Sequence, residues 1–366
     1  MLKRIPWAKP HFYGNEAKYV TNAIESTWIS GGAYLDELEL KFRDICDKKH
    51  ALAVSNGTTA IHLAYLALGI KPGDEIIVPG FCFLAAANIA IHVGATPVFS
   101  EVDKNTWCMD PVDLERRITN RTKAIVPVHT YGNVCDMDLI MDIARKRKIA
   151  VIEDCAESLF SKFKDRQSGS FGVINTFSFQ ATKTITTGEG GMVVTDDDEF
   201  AERMLLYRSH GMNRKKVIYW HELPGHNFRL TNMQAALGIA QLENALDIIK
   251  TRKQVYDKYV SHFSNVSCVS IQKINSNVDP LIWAFALRLN EEAFPQGRDM
   301  VRKQMDELGI ETRPGFYASS LLNIYTNHKL PVSESISENV ISLPSFPTLS
   351  DEEIEYISNG LLKLRK

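Results

Sequence analysis

Hydrophobic positions in the first 200 residues alternate between short continuous runs and longer runs with helical spacing. The short runs predict strands at residues 51–55, 75–79, 96–102, 124–128, 150–153, 173–179 and 191–195. The segments between them predict helices at residues 15–28, 34–46, 58–68, 84–93, 111–118 and 136–147. Short apolar strands that alternate with helices indicate a mainly parallel sheet with both faces covered. We therefore expect an α/β fold built around such a sheet.

The pattern changes after residue 230. A stretch rich in Leu, Ile and Ala from Thr231 to about His262 predicts one long helix that carries the chain out of the sheet domain. Residues 263–366 mix strand and helix periodicities, which is typical of a smaller α/β lobe, and no low-complexity linker intervenes. The expected organisation is a large domain at residues 1–245 and a small C-terminal domain at residues 246–366.

Composition and charge argue against several classes of function. The 366 residues are 45% hydrophobic and 23% charged, as in ordinary globular enzymes. The net charge of −2 does not indicate binding to nucleic acid or to an anionic membrane. The N-terminus lacks the apolar segment of a secretory signal, and polar residues interrupt the most apolar stretch, 81–99. Six scattered cysteines include no C-x-x-C pair, which argues against zinc and disulfides. We expect a cytoplasmic protein with no metal, nucleic acid or membrane partner.

A lysine and an aspartate carry the strongest chemical signal. Lys183 lies between a short aromatic strand and a glycine-rich turn within residues 177–191, and Asp154 ends an apolar strand upstream. Pyridoxal phosphate (PLP) requires a lysine that forms a Schiff base and an acid that keeps the pyridine nitrogen protonated. If each residue is considered alone, the simpler interpretation is that Lys183 is a surface lysine and that Asp154 caps a helix. The pair in this order, together with a phosphate signal, favours PLP chemistry with Lys183 as nucleophile and general acid/base.

The phosphate signal is the segment S-N-G-T-T-A at residues 55–60, between a predicted strand and a predicted helix. Gly57 lets the backbone approach a ligand, and the helix N-terminus offers unpaired N–H groups. Thr58 and Thr59 add hydroxyl donors, and Ser178, five residues before the lysine, adds another. The alternative is an ordinary threonine N-cap.

Four segments of the chain resemble the DegT/DnrJ/EryC1/StrS sugar aminotransferases. They are S-N-G-T-T-A (55–60), E-D-C-A-E (153–157), F-S-F-x-x-x-K-T-I-T-T-G-E-G-G (177–191) and N-F-R-L-T-N-M-Q-A-A (227–236). The resemblance runs from about Lys9 to the C-terminus. Three more segments resemble the members that aminate C4 of a GDP-linked 4-keto-6-deoxy sugar, namely T-W-I-S (27–30), V-H-x-Y-G (128–132) and Y-W-H (219–221).

The resemblance implies a PLP-dependent transferase of fold type I, similar to aspartate aminotransferase, that works as a homodimer with shared active sites. It implies that Asp154 meets the pyridine nitrogen, that Glu157 lies near the ring, and that Phe83 stacks on the ring. It also implies phosphate binding by Gly57, Thr58, Thr59 and Ser178, and by Asn227 of the neighbouring subunit. The expected reaction moves nitrogen from L-glutamate to a nucleotide-linked 4-keto-6-deoxyhexose, for O-antigen or another surface polysaccharide.

Two departures from the family pattern concern the sugar. Relatives often carry R-P-x-F-x-P-x-H, whereas this chain has R-P-G-F-Y-A-S-S at residues 313–320, without the histidine. The residues before the lysine are Gln180, Ala181 and Thr182 instead of F-G-N. The PLP residues are intact.

Several other polar residues are candidate substrate contacts, and each has a structural alternative. They are His129, Tyr219, Trp220, His221, Arg229, Arg313 and Tyr317. A histidine near a strand end is more often a hydrogen-bonded structural group, and an arginine often serves a salt bridge. The basic run at residues 214–216 has two interpretations: it binds a nucleotide diphosphate, or it is a solvated loop without a ligand.

Three alternatives remain from the sequence. Some relatives aminate C3 of a dTDP- or UDP-linked ketosugar, and the dehydratases of the family replace the Schiff-base lysine with histidine, which Lys183 argues against. A PLP-binding protein without turnover would have no need of the complete catalytic set. An unrelated nucleotide-binding protein would carry a G-x-G-x-x-G or G-x-x-x-x-G-K-[ST] loop, and neither occurs.

Overall fold

A computed structural model describes residues 4–213, 217, 219–325 and 328–366 of the chain. Its helices are α1 (Glu16–Glu25), α2 (Ala33–Cys46), α3 (Gly57–Leu68), α4 (Ala85–His92), α5 (Pro111–Arg117), α6 (Met137–Arg147), α7 (Asp198–Arg208), α8 (Asn232–Glu243), α9 (Ala245–Phe263), α10 (Arg298–Glu307), α11 (Pro331–Asn339) and α12 (Asp351–Lys363). Its strands are β1 (His50–Val54), β2 (Glu75–Pro79), β3 (Thr96–Ser100), β4 (Thr122–Ile125), β5 (Ala150–Asp154), β6 (Lys162–Phe163), β7 (Arg166–Gln167), β8 (Ile174–Ser178), β9 (Gly191–Thr195), β10 (Val269–Ile271), β11 (Val278–Asp279), β12 (Ala286–Leu289), β13 (Arg313–Pro314) and β14 (Val340–Ser342).

A seven-stranded sheet in the order β1-β9-β8-β5-β4-β2-β3 forms the centre of the large lobe. The pairs β5/β8, β4/β5, β2/β4 and β2/β3 are parallel, and only β9 runs against its neighbours. All seven predicted strands are present in this sheet. The prediction of a mainly parallel α/β sheet is therefore confirmed, and β5 and β8 are adjacent, which brings the ends carrying Asp154 and Ser178 side by side.

The helix α3 shows how local sequence sets the geometry of the site. Its first turn is a capping box, in which the Asn56 side chain accepts from the backbone N–H of Thr59 and the Thr59 hydroxyl accepts from the N–H of Asn56. Its apolar face packs on β8 and β9, with Leu63 and Tyr65 fully buried. Because the cap begins directly after β1, the N-terminus of α3 points at the carboxyl edge of the sheet.

Two features differ from the sequence-based expectations. The helix predicted from Thr231 to about His262 is two helices, α8 and α9, which meet at Asn244. The Asn244 side chain donates to the carbonyl of Ala240 one turn earlier, and such a local bond competes with helical continuation. The helix α7 was not predicted, because its polar and apolar residues do not fall on separate faces.

The smaller lobe is an antiparallel sheet in the order β10-β12-β14-β13, covered by the helices α9 to α12. Its core includes Tyr259, Phe285 and Leu287, and Ile5 from the N-terminal segment joins it through a bridge to Ile310. The predicted mixed α/β lobe is present. The boundary between residues 245 and 246 stays a prediction.

Two further observations concern the chain as a whole. None of the helices in the described ranges has both the length and the apolar character needed to cross a membrane. All six cysteines lie in those ranges, and each is buried with a free thiol.

Candidate active site

A cleft of about 1210 Å³ opens at the carboxyl edge of the parallel strands, where the smaller lobe meets the sheet. Ligands of open α/β sheets bind at this edge. The structure brings together at this cleft most of the cofactor-binding residues predicted from the sequence, namely Gly57, Thr58, Thr59, Phe83, Asp154, Glu157, Ser178 and Lys183. The candidate substrate contacts Arg313 and Tyr317 line it as well.

Two carboxylates form the buried wall of the cleft at the end of β5. Asp154 is 5% exposed and Glu157 is 3% exposed. One oxygen of Asp154 accepts from the backbone N–H of Ala156 at 3.1 Å, and one of Glu157 accepts from that of Tyr131 at 2.7 Å. Burial raises the pKa of both carboxyls, while the nearby amine of Lys183 acts to lower them. A buried carboxylate aimed into a cleft can pair with a cationic ring nitrogen.

Lys183 faces this wall. Its Nζ lies 3.7 Å from the Oε1 of Glu157. Burial lowers the pKa of Lys183, while the charges of Glu157 and Asp154 act in the opposite direction. A lowered pKa increases the fraction of neutral amine, the form that attacks a carbonyl carbon. The lysine therefore has both the position and the protonation chemistry of a nucleophile.

The N-terminus of α3 faces the same cleft and fits a phosphate group. A Cβ added at Gly57 would lie 2.8 Å from the Cβ of Ser178, so this position needs glycine. The Thr59 hydroxyl donates to the carbonyl of Asn56 and is thus engaged in the cap, which leaves Thr58 and Ser178 as the predicted hydroxyl donors nearest to a ligand. Backbone N–H groups at a helix N-terminus attract anions, and the hydroxyls add donors. The helix cap is therefore present, and the phosphate site at the same segment stays a prediction with which this geometry is compatible.

Aromatic residues also line the cleft. The Phe83 side chain is 62% exposed, which is unusual for a phenylalanine at a strand end. Its ring lies 6.2 Å from that of Phe316 in an edge-on arrangement, and Phe316 stacks on Tyr131 at 5.1 Å. Phe83 therefore presents an uncovered ring face to the cleft, which is suited to a planar ligand.

His129 does not line the cleft; it lies fully buried behind the wall. Its Nδ1 accepts from the backbone N–H of Cys135 at 3.3 Å, so its Nε2 carries the hydrogen and donates to Glu153 at 3.0 Å. Glu153 also accepts from three backbone N–H groups, those of Gly169, Phe171 and Gly172. The geometry gives His129 a structural role in holding the end of β5.

The same two residues and Cys155 bring possible metal ligands within 4.8 Å of one another. Both His129 nitrogens and both Glu153 oxygens already take part in hydrogen bonds. Burial also raises the pKa of the Cys155 thiol to about 12, which opposes formation of the thiolate that binds metals. These three residues are therefore better suited to supporting the end of β5, next to Asp154, than to binding a metal ion.

A second group of predicted residues lies on the loop 209–228, of which the structure describes residues 209–213, 217 and 219–228. These predicted residues do not line the cleft of their own chain. Tyr219 is 84% exposed and Trp220 is 63% exposed, and His221 donates from Nδ1 to the carbonyl of His210 at 2.6 Å. Asn227 accepts from the Nε of Arg229 at 2.9 Å. The backbone beside Asn227 touches the cradle loop, since the Phe228 carbonyl accepts from the N–H of Ser55, but the Asn227 side chain is not among the cleft-lining residues. The basic run 214–216 lies outside the described residues.

Arg313 and Tyr317 belong to the rim contributed by the smaller lobe. Arg313 pairs with Glu311 at 2.6 Å, and its guanidinium lies 5.8 Å from the centre of the Trp7 ring. The Tyr317 ring lies 5.3 Å from the guanidinium of Arg298. Both side chains are more than one-third exposed and face the open side of the cleft.

Sequence reasoning missed the role of two aromatic residues. The backbone N–H of Tyr131, in a left-handed conformation with φ 60°, holds Glu157, and its place in V-H-x-Y-G was the available signal. Trp283 comes from the smaller lobe and covers the amine of Lys183, with its ring centre 3.6 Å from Nζ. No local pattern around Trp283 pointed to this contact.

Comparisons with known proteins agree with this geometry. The model of the DegT/DnrJ/EryC1/StrS aminotransferase family matches residues 11–362. GDP-perosamine synthase of Escherichia coli O157:H7 is 43% identical over 365 residues, covering 98% of each chain, and that of Caulobacter vibrioides is 41% identical over the same length and the same shares. A putative sugar aminotransferase from Streptococcus pneumoniae in its PLP form superposes with a TM-score of 0.94 at 28% identity, covering 99% of this chain and 98% of that one.

Proposed function

Because the chain belongs to the DegT/DnrJ/EryC1/StrS aminotransferase family and is a PLP-dependent enzyme of fold type I, we propose that it aminates C4 of a GDP-linked 4-keto-6-deoxyhexose. One observation carries the proposal. An amine, a buried carboxylate and a helix N-terminus with glycine at its first position converge on one cleft of about 1210 Å³, large enough for a cofactor and part of a nucleotide sugar. The nucleotide and the position of amination follow from the names of the most similar relatives.

The residues present fit PLP. The N-terminus of α3 with Gly57, Thr58 and Ser178 would hold the phosphate, Asp154 would meet the ring nitrogen, and Phe83 would contact the ring face. When bound, PLP supplies an aldehyde that exchanges amino groups with substrates and a ring that withdraws electrons from the reacting carbon.

Lys183 does the chemistry that the protein itself must supply. It is held beside the carboxylate wall, attaches the cofactor, and is released when the amino donor takes its place. Its Nζ then takes the proton from the reacting carbon of the donor and later returns one to the sugar carbon. Asp154 keeps a proton at the ring nitrogen, and the Glu157 carboxylate orients Nζ from 3.7 Å. These groups are buried, so water does not compete for the proton.

We infer L-glutamate as the amino donor, as the family resemblance implies, and a role in making O-antigen or another surface polysaccharide in the cytoplasm. Arg313 at the open rim offers a guanidinium fork that suits a carboxylate or a diphosphate. The six free thiols suit a reducing compartment.

The proposed assembly is a homodimer with shared sites. Asn227 lies outside the cleft of its own chain, although the family resemblance assigns it to the phosphate. The loop that carries it also exposes Tyr219 and Trp220, two large aromatic side chains that are 84% and 63% exposed. Delivery of this loop to the cleft of a partner subunit accounts for both observations.

A substrate panel tests the proposal. The purified enzyme, loaded with PLP, is given L-glutamate and a GDP-, dTDP- or UDP-linked 6-deoxyhexose that carries its keto group at C4 or at C3. Mass spectrometry detects the aminated product, and NMR locates the nitrogen. We expect a product only, or at least tenfold faster, with the GDP-linked sugar, and nitrogen at C4. Preferred turnover of a dTDP- or UDP-linked 3-keto sugar, with nitrogen at C3, would identify the alternative 3-aminotransferase, and preferred turnover of a dTDP- or UDP-linked 4-keto sugar would overturn the assignment of GDP.

A further inference from the structure

The indole of Trp283 lies face-on over the amine of Lys183. The distance from Nζ to the ring centre is 3.6 Å, well inside the range of a cation–π contact. Trp283 belongs to the loop before β12 in the smaller lobe, whereas Lys183 and the two carboxylates belong to the large lobe. The amine therefore lies close to both the Glu157 carboxylate, at 3.7 Å, and the face of the Trp283 ring.

Three hydrogen bonds hold Trp283 in this position. Its indole Nε1 donates to the carbonyl of Thr182 at 2.7 Å, next to the lysine itself. Its backbone N–H donates to the carbonyl of Tyr131 at 2.9 Å, and its own carbonyl accepts from the Nη1 of Arg252 at 3.0 Å. Trp7 packs edge-on against the ring at 5.7 Å. Backbone and side chain are both anchored, so the ring face cannot turn away without breaking bonds.

The charges around the amine act in opposite directions. Burial lowers the pKa of Lys183 and the positive charge of Arg252, from α9, adds to that effect, whereas Glu157 and Asp154 from the large lobe raise it. An indole face attracts a cation but not a neutral amine, because the ring quadrupole places negative charge on the face. Trp283 therefore works with the two carboxylates and against burial and Arg252.

We propose that Trp283 is a positioning residue that holds the ammonium form of Lys183 against its ring face once the released amine has taken up a proton. This rests on the proposed role of Lys183 as the PLP-attaching residue. After the amino donor displaces it, the neutral amine takes the proton from the donor carbon, and the ammonium so formed must stay beside the reacting carbon instead of swinging into the open part of the cleft. The ring face and the carboxylate of Glu157 together define that resting place.

The decisive test uses ring-fluorinated tryptophans, encoded at position 283 alone. Fluorine withdraws electrons from the ring face and weakens cation binding, yet it leaves the size of the ring and the Nε1 donor almost unchanged. In the PLP-free protein, the rate of acetylation of Lys183 is followed against pH by mass spectrometry. The midpoint of that profile reports the pKa of the amine, and the plateau at high pH reports its accessibility.

We expect the midpoint to fall stepwise with each added fluorine, at a constant plateau. Trp283→Leu should shift the protonation equilibrium about tenfold towards the neutral amine, and Trp283→Phe, which keeps an aromatic face but lacks Nε1, should shift it less. Trp7→Leu is the matched control, since it removes the indole behind Trp283 and leaves the face over Lys183. It should leave the midpoint unchanged.

Two results would overturn the proposal. One is a pH midpoint of Lys183 acetylation that stays constant along the fluorine series, which would mean that the ring only packs against the lysine. The other is a Trp7→Leu shift as large as that of Trp283→Leu. Because the measurement needs neither PLP nor turnover, its failure is distinguishable from failure of the proposed function. In the loaded enzyme, the midpoint of the pH profile of kcat should move in the same direction along the fluorine series. A midpoint that does not change would mean that Trp283 does not position Lys183 during turnover.

Discussion

The carboxylate wall of the cleft and the loop 209–228 are built in opposite ways. In the wall, Asp154 and Glu157 are almost fully buried and each accepts a hydrogen bond from a backbone N–H. On the loop, Tyr219 and Trp220 are mostly exposed and contact little of their own chain. Both regions carry residues that the sequence motifs single out for function.

The difference separates two kinds of functional residue. The carboxylates proposed to act on the cofactor are preorganised, because the hydrogen bonds and burial that orient them exist before any ligand arrives. Groups proposed to meet the sugar or the partner subunit are exposed, and their contacts form only on binding. Substitutions in the wall should therefore act on chemistry and on the stability of the monomer, and substitutions on the loop should act on binding and assembly.

The largest expected effect is that of Lys183→Ala. It removes the amine that attaches the cofactor and moves the proton, so transamination should fall to background while the circular dichroism spectrum and the unfolding temperature stay close to those of the wild type. Lys164→Ala, an exposed lysine paired with Asp138, is the matched control and should keep full activity. Substantial turnover by Lys183→Ala would remove this lysine from the mechanism.

Asp154→Asn should come next, with a rate loss on the order of a hundredfold or more, comparable with the loss of a strong electrostatic contact to a transition state. The amide cannot carry the charge that keeps the ring nitrogen protonated. Single-turnover rates of both half-reactions at saturating PLP measure the effect. Near-normal rates would mean that another group holds the ring nitrogen.

The same substitution should stabilise the PLP-free protein, by about 1 kcal/mol at neutral pH, as is common where function requires a strained site. Burial raises the folded-state pKa of Asp154, so the ionised carboxylate opposes folding above that pKa. Below the unfolded pKa the carboxyl is protonated in both states and the penalty is absent. The gain in unfolding temperature should thus be larger at neutral pH than near the unfolded pKa of about 4, and a gain that grows towards acid pH would contradict this sign.

A mixed dimer tests the loop. Asn227→Ala should weaken PLP binding about tenfold by removing a hydrogen bond to a charged group. Mixed with Lys183→Ala at a PLP concentration too low to load Asn227→Ala alone, it should regain activity after subunit exchange. One site then carries both lesions and the other carries neither.

The control is a mixture of Lys183→Ala with Asp154→Asn. Lys183 and Asp154 line the cleft of one chain, so each site of that mixed dimer keeps one lesion and stays inactive. If exchange is demonstrated by mass spectrometry and the Asn227→Ala mixture also stays inactive, Asn227 serves the cleft of its own chain, whose cradle loop its neighbour Phe228 touches.

The smallest effect is expected for Trp220→Ala. Because the side chain is exposed, the free energy of unfolding of the isolated chain should change by no more than about 0.5 kcal/mol. The half-reaction with L-glutamate should be unchanged, while kcat/KM for the nucleotide sugar should fall about tenfold, as expected for the loss of an aromatic contact. An equal loss in both half-reactions would place Trp220 in the cofactor machinery instead of a substrate contact.

The wall was more predictable from the sequence than the rest of the molecule. Asp154 ends an apolar strand, and ligands of open α/β sheets bind at this edge, so local pattern pointed to its place in the cleft. Glu157 was named only through the family resemblance of E-D-C-A-E. The break at Asn244 was missed, because a side-chain bond to the Ala240 carbonyl has no signature in hydrophobic periodicity. The helix α7 was missed for the related reason that its faces are not segregated by polarity.

Contacts that join distant parts of the chain account for what the sequence left open at the site. Trp283 reaches Lys183 across one hundred residues and from the other lobe, so nothing near either residue predicts the pair. The structural role of His129 depends on Glu153, whose side chain points away from the cleft while that of its neighbour Asp154 points into it. Successive side chains along a strand point to opposite faces, which explains why Glu153 and Asp154 face in different directions. The pairing of His129 with Glu153 cannot be recognised without the three-dimensional structure.

The attachment site of the cofactor tests the central claim most directly. The purified enzyme, loaded with PLP, is reduced with borohydride, digested and mapped by mass spectrometry. The account predicts that the reduced phosphopyridoxyl group lies on the peptide containing Lys183 and on no other lysine, and that prior addition of L-glutamate prevents the labelling. A label on a different lysine, or no label with PLP bound, would contradict it.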